Sequence, residues 1–301
     1  MKKIIVIGSC NTDMVIKTDR LPTPGETVLG GTFLMNAGGK GANQAVTAAR
    51  QGGQVTFISK TGNDVFGKQS VELYNSEGIN TDYIFSDAKN PSGVALITVD
   101  SHGENCIVVA SGANGSLSAA DIESARTEIE SGSIVLMQLE IPIDTVEYAA
   151  ELASNKGISV ILNPAPARTL SEKLLKCLYV ITPNEHEAEM LSGIKVTDWT
   201  TAKKAADVIS SKGVNNVVIT MGSQGAFVKE QDEYYTVEAT KVTAVDTTAA
   251  GDSFSGAFCV ALAEGKSIKD AVKVATRVAA ITVTRMGAQS SIPYRNELAL
   301  F

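Results

Sequence analysis

Short uninterrupted runs of Ile, Val and Leu alternate along the chain with stretches of helical periodicity. Lys3–Ile7, Val55–Ser59, Ser133–Gln138, Ser159–Asn163, Tyr179–Thr182 and Val217–Met221 read as buried strands. A strand covered on both faces needs apolar side chains at successive positions. Ala42–Arg50, Phe66–Glu77, Ala119–Glu130, Ile143–Lys156, Thr200–Lys212, Ser253–Glu264 and Ile268–Thr284 read as amphipathic helices. In the first of these, Ala42, Ala45, Val46 and Ala49 recur at the i, i+3, i+4, i+7 spacing of one buried helix face. Such alternation predicts an α/β fold, Rossmann-like, with a mostly parallel central sheet flanked by helices.

Two segments break the rhythm. About 30 residues separate Gly8 from the first helix, where a strand-to-helix loop usually takes ~2–6. This stretch holds β-like Met14–Lys17 and Val28–Leu34 around Leu21-Pro22-Thr23-Pro24-Gly25. A second segment carries Gly93–Asp100 and Asn105–Ala110 on either side of a hairpin-like turn, Ser101-His102-Gly103-Glu104. Four strands outside the main sheet predict a small β-sheet lid, formed by insertions at about 12–36 and 92–110. No repeat or long linker divides the chain, which reads as a single domain over 1–301.

Composition narrows the chemistry. Lys and Arg total 26 against 33 Asp and Glu, a net charge of −7. An acidic balance argues against nucleic acid or anionic membrane as a main partner, since both need clustered cations. Cys10, Cys106, Cys177 and Cys259 show neither metal-ligand nor disulfide spacing, so free thiols and a cytoplasmic protein are expected. The apolar run after Lys3 stops at Gly8, too soon for a signal peptide.

Several familiar motifs fail. Leu34 and Gly41 stand where a phosphate-binding loop ending at Gly39-Lys40 needs Gly and Ser or Thr. No G-x-G-x-x-G follows the first strand, and His102 and His186 are the only histidines. What remains is Asp246-Thr247-Thr248-Ala249-Ala250-Gly251-Asp252, a polar turn leading through three small residues into a helix. Small residues let backbone N–H groups approach an anion, and the helix N-terminus adds positive potential. Asp252 projects from the same first turn as an adjacent base, the pairing that phosphoryl transfer to a hydroxyl requires. Asn11, Asp13 and Glu140 lie at or just past strand ends, where open α/β sheets bind ligands, and with Lys40 and Asn43 of the glycine-rich segment Asn36–Asn43 before the first helix they form a polar set suited to sugar hydroxyls.

Gly38-Gly39-Lys40-Gly41-Ala42-Asn43 and Asp246–Asp252 resemble the two signatures of the PfkB/ribokinase family of carbohydrate kinases. Asn11-Thr12-Asp13, Gly62-Asn63-Asp64, Asn163-Pro164-Ala165-Pro166, Thr182–Glu187 and Thr284–Gln289 extend the likeness over nearly the whole chain. The resemblance implies phosphoryl transfer from ATP to the 5-hydroxyl of D-ribose; other sugars, a nucleoside, or a sugar sensor without turnover are the alternatives. It implies Asp252 as base, with backbone amides of Ala249, Ala250 and Gly251 as the anion hole. Asn11, Asp13, Gly39, Lys40, Gly41, Asn43 and Glu140 would hold the sugar. Asn184, Thr220, Met221, Gly222, Ser223, Gln224 and Gly225 would line the nucleotide along with Gly251 and Asp252, and Thr276 would lie near its base. Asn184 and Glu187 match a pair that organises Mg2+ and phosphate. Asp246, Thr248, Thr282, Arg285, Gly287 and Ser291 match a site, largely of carbonyls, that favours K+. The lid would also pair across a homodimer.

Overall fold

The computed structural model describes residues 2–300. Its strands are β1 (Lys3–Ile7), β2 (Asn11–Lys17), β3 (Thr32–Gly38), β4 (Gln54–Gly62), β5 (Ile84–Asp87), β6 (Gly93–Val99), β7 (Asn105–Ala110), β8 (Ile134–Met137), β9 (Ser159–Leu162), β10 (Val180–Ile181), β11 (Asn216–Thr220), β12 (Gly225–Glu230) and β13 (Glu233–Glu238). The helices are α1 (Lys40–Arg50), α2 (Val65–Ser76), α3 (Ala119–Ser124), α4 (Arg126–Glu130), α5 (Ile143–Asn155), α6 (Glu172–Cys177), α7 (Glu185–Ser192), α8 (Trp199–Ser211), α9 (Ala250–Ala263) and α10 (Ile268–Thr282).

Nine strands form one sheet in the order β13-β12-β11-β10-β9-β8-β1-β4-β5. It is parallel from β5 to β11 and antiparallel over the last two strands. Alternate side chains of the central strands point to opposite faces, and both faces are covered. Ile5, Ile7, Val135 and Met137 pack with residues of α5 and α8. Ile4, Val6, Leu136 and Ile161 pack with residues of α1, α9 and α10. The continuous apolar runs thus meet the requirement that made them read as strands.

β3-β2-β6-β7 form the separate four-stranded sheet. β2 pairs antiparallel with β3 and parallel with β6, so Asn11 stands opposite both Gly38 and Gly93. The third strand starts four residues later than Val28–Leu34 implies. Gly30 and Gly31 both have left-handed φ (97° and 113°), which interrupts extended backbone, and pairing begins at Thr32. Ala119–Glu130 is two short helices, parted at Ala125, rather than one.

α1 and α9 pack directly against each other. At Gly256 a Cβ would lie 2.6 Å from the carbonyl oxygen of Gln44 and 2.6 Å from Cβ of Thr47. Only glycine permits this approach. Gly256 is one turn beyond Asp252 on α9, so the crossing brings the first turns of both helices together beside the strand ends.

Candidate active site

Asp252 is buried in the first turn of α9, and its carboxylate accepts two amide donors from α1. Asn43 Nδ2 donates to Oδ2 and Gln44 Nε2 to Oδ1, each at 2.9 Å. Asn43 Oδ1, with its sense fixed by that bond, is buried without a hydrogen-bond partner among the described residues. A buried acceptor without a donor costs free energy until a ligand hydroxyl supplies one.

The residues expected to meet a sugar converge on the same place. Lys40 opens α1, and Asp252, Glu140, Glu187 and Asp13 all act on its ammonium, holding its pKa above the usual lysine value despite burial. Glu140 Oε2 accepts the Lys40 backbone N–H at 3.0 Å and also the hydroxyl of Ser9. Asn11 Oδ1 accepts from Asn114 Nδ2 at 2.7 Å, which leaves the Asn11 amide nitrogen as the end available to a ligand. Gly41 is placed differently from its neighbours: its N–H donates to Ser9 Oγ and it packs against Gly8.

Burial pushes the Asp13 carboxyl up to about 6, helped by nearby Glu140 and Asp252 and opposed by Lys40. Above that value Asp13 is ionised and can accept from the hydroxyls of a sugar placed as expected; below it, a proton occupies one oxygen. Sugar affinity, measured by calorimetry between pH 8 and pH 5, is therefore expected to weaken below pH ~6 by up to about tenfold per unit. The effect on stability has the opposite sign. The folded state holds this proton more tightly than the unfolded chain, so Asp13's own penalty to folding shrinks as pH falls below about 6 and is gone below the ordinary value of 3.8.

Beside Asp252 a small cavity of about 190 Å³ is lined by Lys40, Asn184, Glu187, Ala249, Ala250 and Gly251 among others. Ala249 has left-handed φ (60°) at the N-terminus of α9. Such backbone strain in a non-glycine residue costs about 1–3 kcal/mol and collects at functional sites. The N–H groups of Ala249 and Gly251 have no intramolecular acceptor among the described residues, whereas that of Ala250 donates to the Thr247 carbonyl at 3.3 Å. A Cβ added at Gly251 would meet nothing within 4 Å. Open N–H groups at a helix N-terminus give that first turn the chemistry an anion site requires.

A larger cavity of about 930 Å³ adjoins it, lined by Asn184, Thr220, Gly222, Ser223, Gly225, Gly251 and Thr276. Val242, Ala244, Ala279, Ala280, Val283 and Phe254 supply apolar walls that suit a flat base. Thr276 Oγ1 is buried there without a partner among the described residues. Met221 is elsewhere, a buried core residue, and Gln224 is exposed outside the lining.

Asn184 caps α7 in a reciprocal box with Glu187: Asn184 Oδ1 accepts the Glu187 N–H, and the Glu187 carboxylate accepts from Asn184 N and Nδ2. Burial raises the Glu187 carboxyl above its ordinary range. No cluster of three or more His, Cys, Asp or Glu suited to a metal occurs among the described residues. The donor set nevertheless fits Mg2+, which is commonly held by one or two carboxylates plus the phosphates of its nucleotide.

The loop before α9 is stitched to the segment after α10. Val245 and Asp246 N–H donate to the Val283 carbonyl, and Asp246 accepts the N–H groups of Thr248 and Gly287 at 2.9 Å. The Arg285 side chain turns away to pair with Glu297, leaving its carbonyl as the group that could face an ion. Ser291 and Thr282 are both buried. One carboxylate and several carbonyls fit a monovalent cation.

The model of the pfkB family carbohydrate kinases matches residues 1–295. The ribokinase of Haemophilus influenzae is 46% identical over 300 residues, covering 100% of this chain and 98% of its own length. A deoxyribokinase of Salmonella typhi is 39% identical over 292 residues, 96% of this chain and 95% of that one. The structure of Arabidopsis thaliana ribokinase complexed with ribose and ATP superposes with a TM-score of 0.93, covering 99% of this chain and 98% of that one at 31% identity.

Proposed function

The chain belongs to the pfkB family of carbohydrate kinases, and we propose that it phosphorylates D-ribose at the 5-hydroxyl with ATP, Asp252 acting as base. The observation that carries this reading is the position of Asp252, between the sugar-facing residues and the open amides of Ala249 and Gly251. In the reaction, the hydroxyl oxygen of the sugar bonds to the γ-phosphorus while the bond from that phosphorus to the β–γ bridging oxygen breaks. The hydroxyl proton passes to the Asp252 carboxylate and later to solvent, and ADP leaves with the bridging oxygen. Such transfer is loose, so alignment and charge neutralisation matter more than a strong base. The anion hole receives the transferring group, and Asn11, Asp13, Lys40, Asn43 and Glu140 orient the sugar.

The four carboxylates around Lys40 make this end of the site acidic, so a nucleotide triphosphate enters it with its charge partly neutralised. Glu187 and Asn184 would help to hold Mg2+, which supplies that neutralisation. Asp246 and the carbonyls of Thr248, Thr282, Arg285 and Gly287, with Ser291 nearby, would hold K+, which orders the loop leading into the hole. The absence of any described helix long and apolar enough to cross a membrane is compatible with a cytoplasmic enzyme.

The lid exposes an apolar face. Register places Ile16 opposite Phe33, and Leu96 opposite both Met14 and Val108; Phe33 is 59% exposed and Val108 63%. A patch of this kind on a soluble protein marks an interface, and we assign it to a homodimer. Val108→Glu is expected to convert the dimer to monomer in sedimentation equilibrium.

The deciding assay is ADP formation from Mg-ATP with ribose, 2-deoxyribose, fructose or adenosine, each in K+ or Na+. Ribose-dependent turnover that rises with K+ is the expected result. Turnover with another acceptor alone overturns the substrate; sugar binding with no turnover on any acceptor indicates a sensor.

A further inference from the structure

Gln44 and Gln138 are fully buried, and nothing in the sequence pattern assigns either a role in chemistry. Their amides form a chain whose sense has a single solution. The Thr182 carbonyl can only accept, so Asn163 turns Nδ2 to it, at 3.0 Å. Asn163 Oδ1 then faces Gln44 and accepts from its Nε2, at 3.0 Å. The same Nε2 donates its other hydrogen to Asp252 Oδ1 at 2.9 Å, and Gln44 Oε1 accepts from Gln138 Nε2 at 2.6 Å. Reversing any one of these buried amides would set oxygen against oxygen or N–H against N–H, at the full cost of unpaired polar groups.

We infer that Gln44 is a positioning residue for the reaction: it holds the Asp252 carboxylate toward the sugar, with its donor locked in place by a relay from the Thr182 carbonyl through Asn163 and by Gln138. The inference rests on Asp252 being the base. Each carboxylate oxygen receives one amide hydrogen, Oδ2 from Asn43 and Oδ1 from Gln44. Two donors fix the plane of the carboxylate and leave lone pairs for the incoming hydroxyl proton. Gln44 lines neither the cavity beside Asp252 nor the larger one next to it, so its loss is expected to separate the rate of chemistry from binding. The charged groups around the carboxylate are Lys40 from α1, Asp13 from β2 and Glu187 from α7.

The test uses the full-length enzyme carrying Gln44→Glu, Gln44→Met or Asp252→Asn. Gln44→Glu keeps the shape and replaces the donor with a second acid. Two carboxyls at hydrogen-bond distance hold one proton between them. Its kcat at pH 7.5 is expected to fall about 10- to 100-fold, the range for losing a hydrogen bond to a charged group. The acid limb of its kcat profile moves to higher pH, while the dissociation constant for the sugar stays within about threefold. Gln44→Met removes the donor without adding charge, and its kcat falls with the sugar dissociation constant similarly preserved. If Gln44→Met does not fold, the isosteric Gln44→Glu decides alone. Folded variants with lowered melting temperature but parental kcat and acid limb assign Gln44 to packing and overturn the inference. If Asp252→Asn is inactive while the Gln44 variants behave in that way, the inference alone fails. If Asp252→Asn keeps parental turnover, the assignment of the base fails and the inference falls with it.

Discussion

Asp252→Asn is expected to bind sugar and turn over Mg-ATP about 10²- to 10⁴-fold more slowly than the parent, the usual contribution of one positioned proton acceptor. The substitution keeps the side chain's shape and removes its basicity. It also turns one amide N–H group toward another, because both carboxylate oxygens accept from amides of α1. That mismatch costs about 1–3 kcal/mol of stability, so melting is expected a few degrees lower, with a folded protein at assay temperature. Steady-state ADP release together with sugar calorimetry separates the two effects. Parental turnover in a folded Asp252→Asn protein sinks the assignment of the base.

Gly251→Leu is expected to leave folding intact and lower kcat/KM for ATP by about 10² or more, the scale on which misplacing a reacting group by about an ångström acts. A side chain here meets no protein atom near its Cβ and extends into open space. That space belongs to both cavities, the one beside Asp252 and the larger one next to it. The isobutyl group would stand where the transferring phosphoryl group passes and shield the open N–H of Gly251. Sugar affinity should survive, since the sugar-facing residues come from β2, α1 and the segment after β8. Unchanged kcat/KM with a parental melting temperature would remove the anion hole from this turn.

The elements legible in the sequence were those whose environment shows in periodicity. The central strands are wet on neither face, so Ile4–Ile7 and Val217–Ile219 announce themselves. β13 lies at the sheet edge and is mostly exposed and polar, as a surface loop also is, and β12 beside it opens on Gly225 and ends on Lys229 and Glu230, which leaves only Ala226–Val228 as an apolar run. α6 and α7 are too short for a helical period to accumulate, although Ser171 and Asn184 cap them in the usual manner. Among site residues, Asn11, Asp13, Lys40, Asn43, Glu140 and Asp252 are polar groups at strand ends or helix starts, and the fold gathers them in one region. Gln44 was hidden because a glutamine on a helix next to Asn43 reads as solvated; it is buried against Asp252 of α9 and against Gln138 and Asn163 just past β8 and β9. The Val242 and Ala279 walls of the larger cavity were hidden too, because nothing local distinguishes a wall from an ordinary loop or helix face.

The contact between α1 and α9 also carries a consequence in time. Asn43 and Asp252 meet across 209 positions of sequence. As the chain is synthesised, Asn11, Asp13, Lys40, Asn43 and Glu140, proposed to hold the sugar, are made well before Asp252. A partial chain that stops short of α9 therefore carries the residues proposed to bind hydroxyls but lacks the proposed proton acceptor and the open amides beside it. Contacts of such long range form slowly, because the intervening chain must be closed before they repay its ordering. On the proposed roles of Asp252 and the α9 turn, catalytic competence is expected to arrive late in maturation, and fragments that stop short of α9 are expected not to spend ATP.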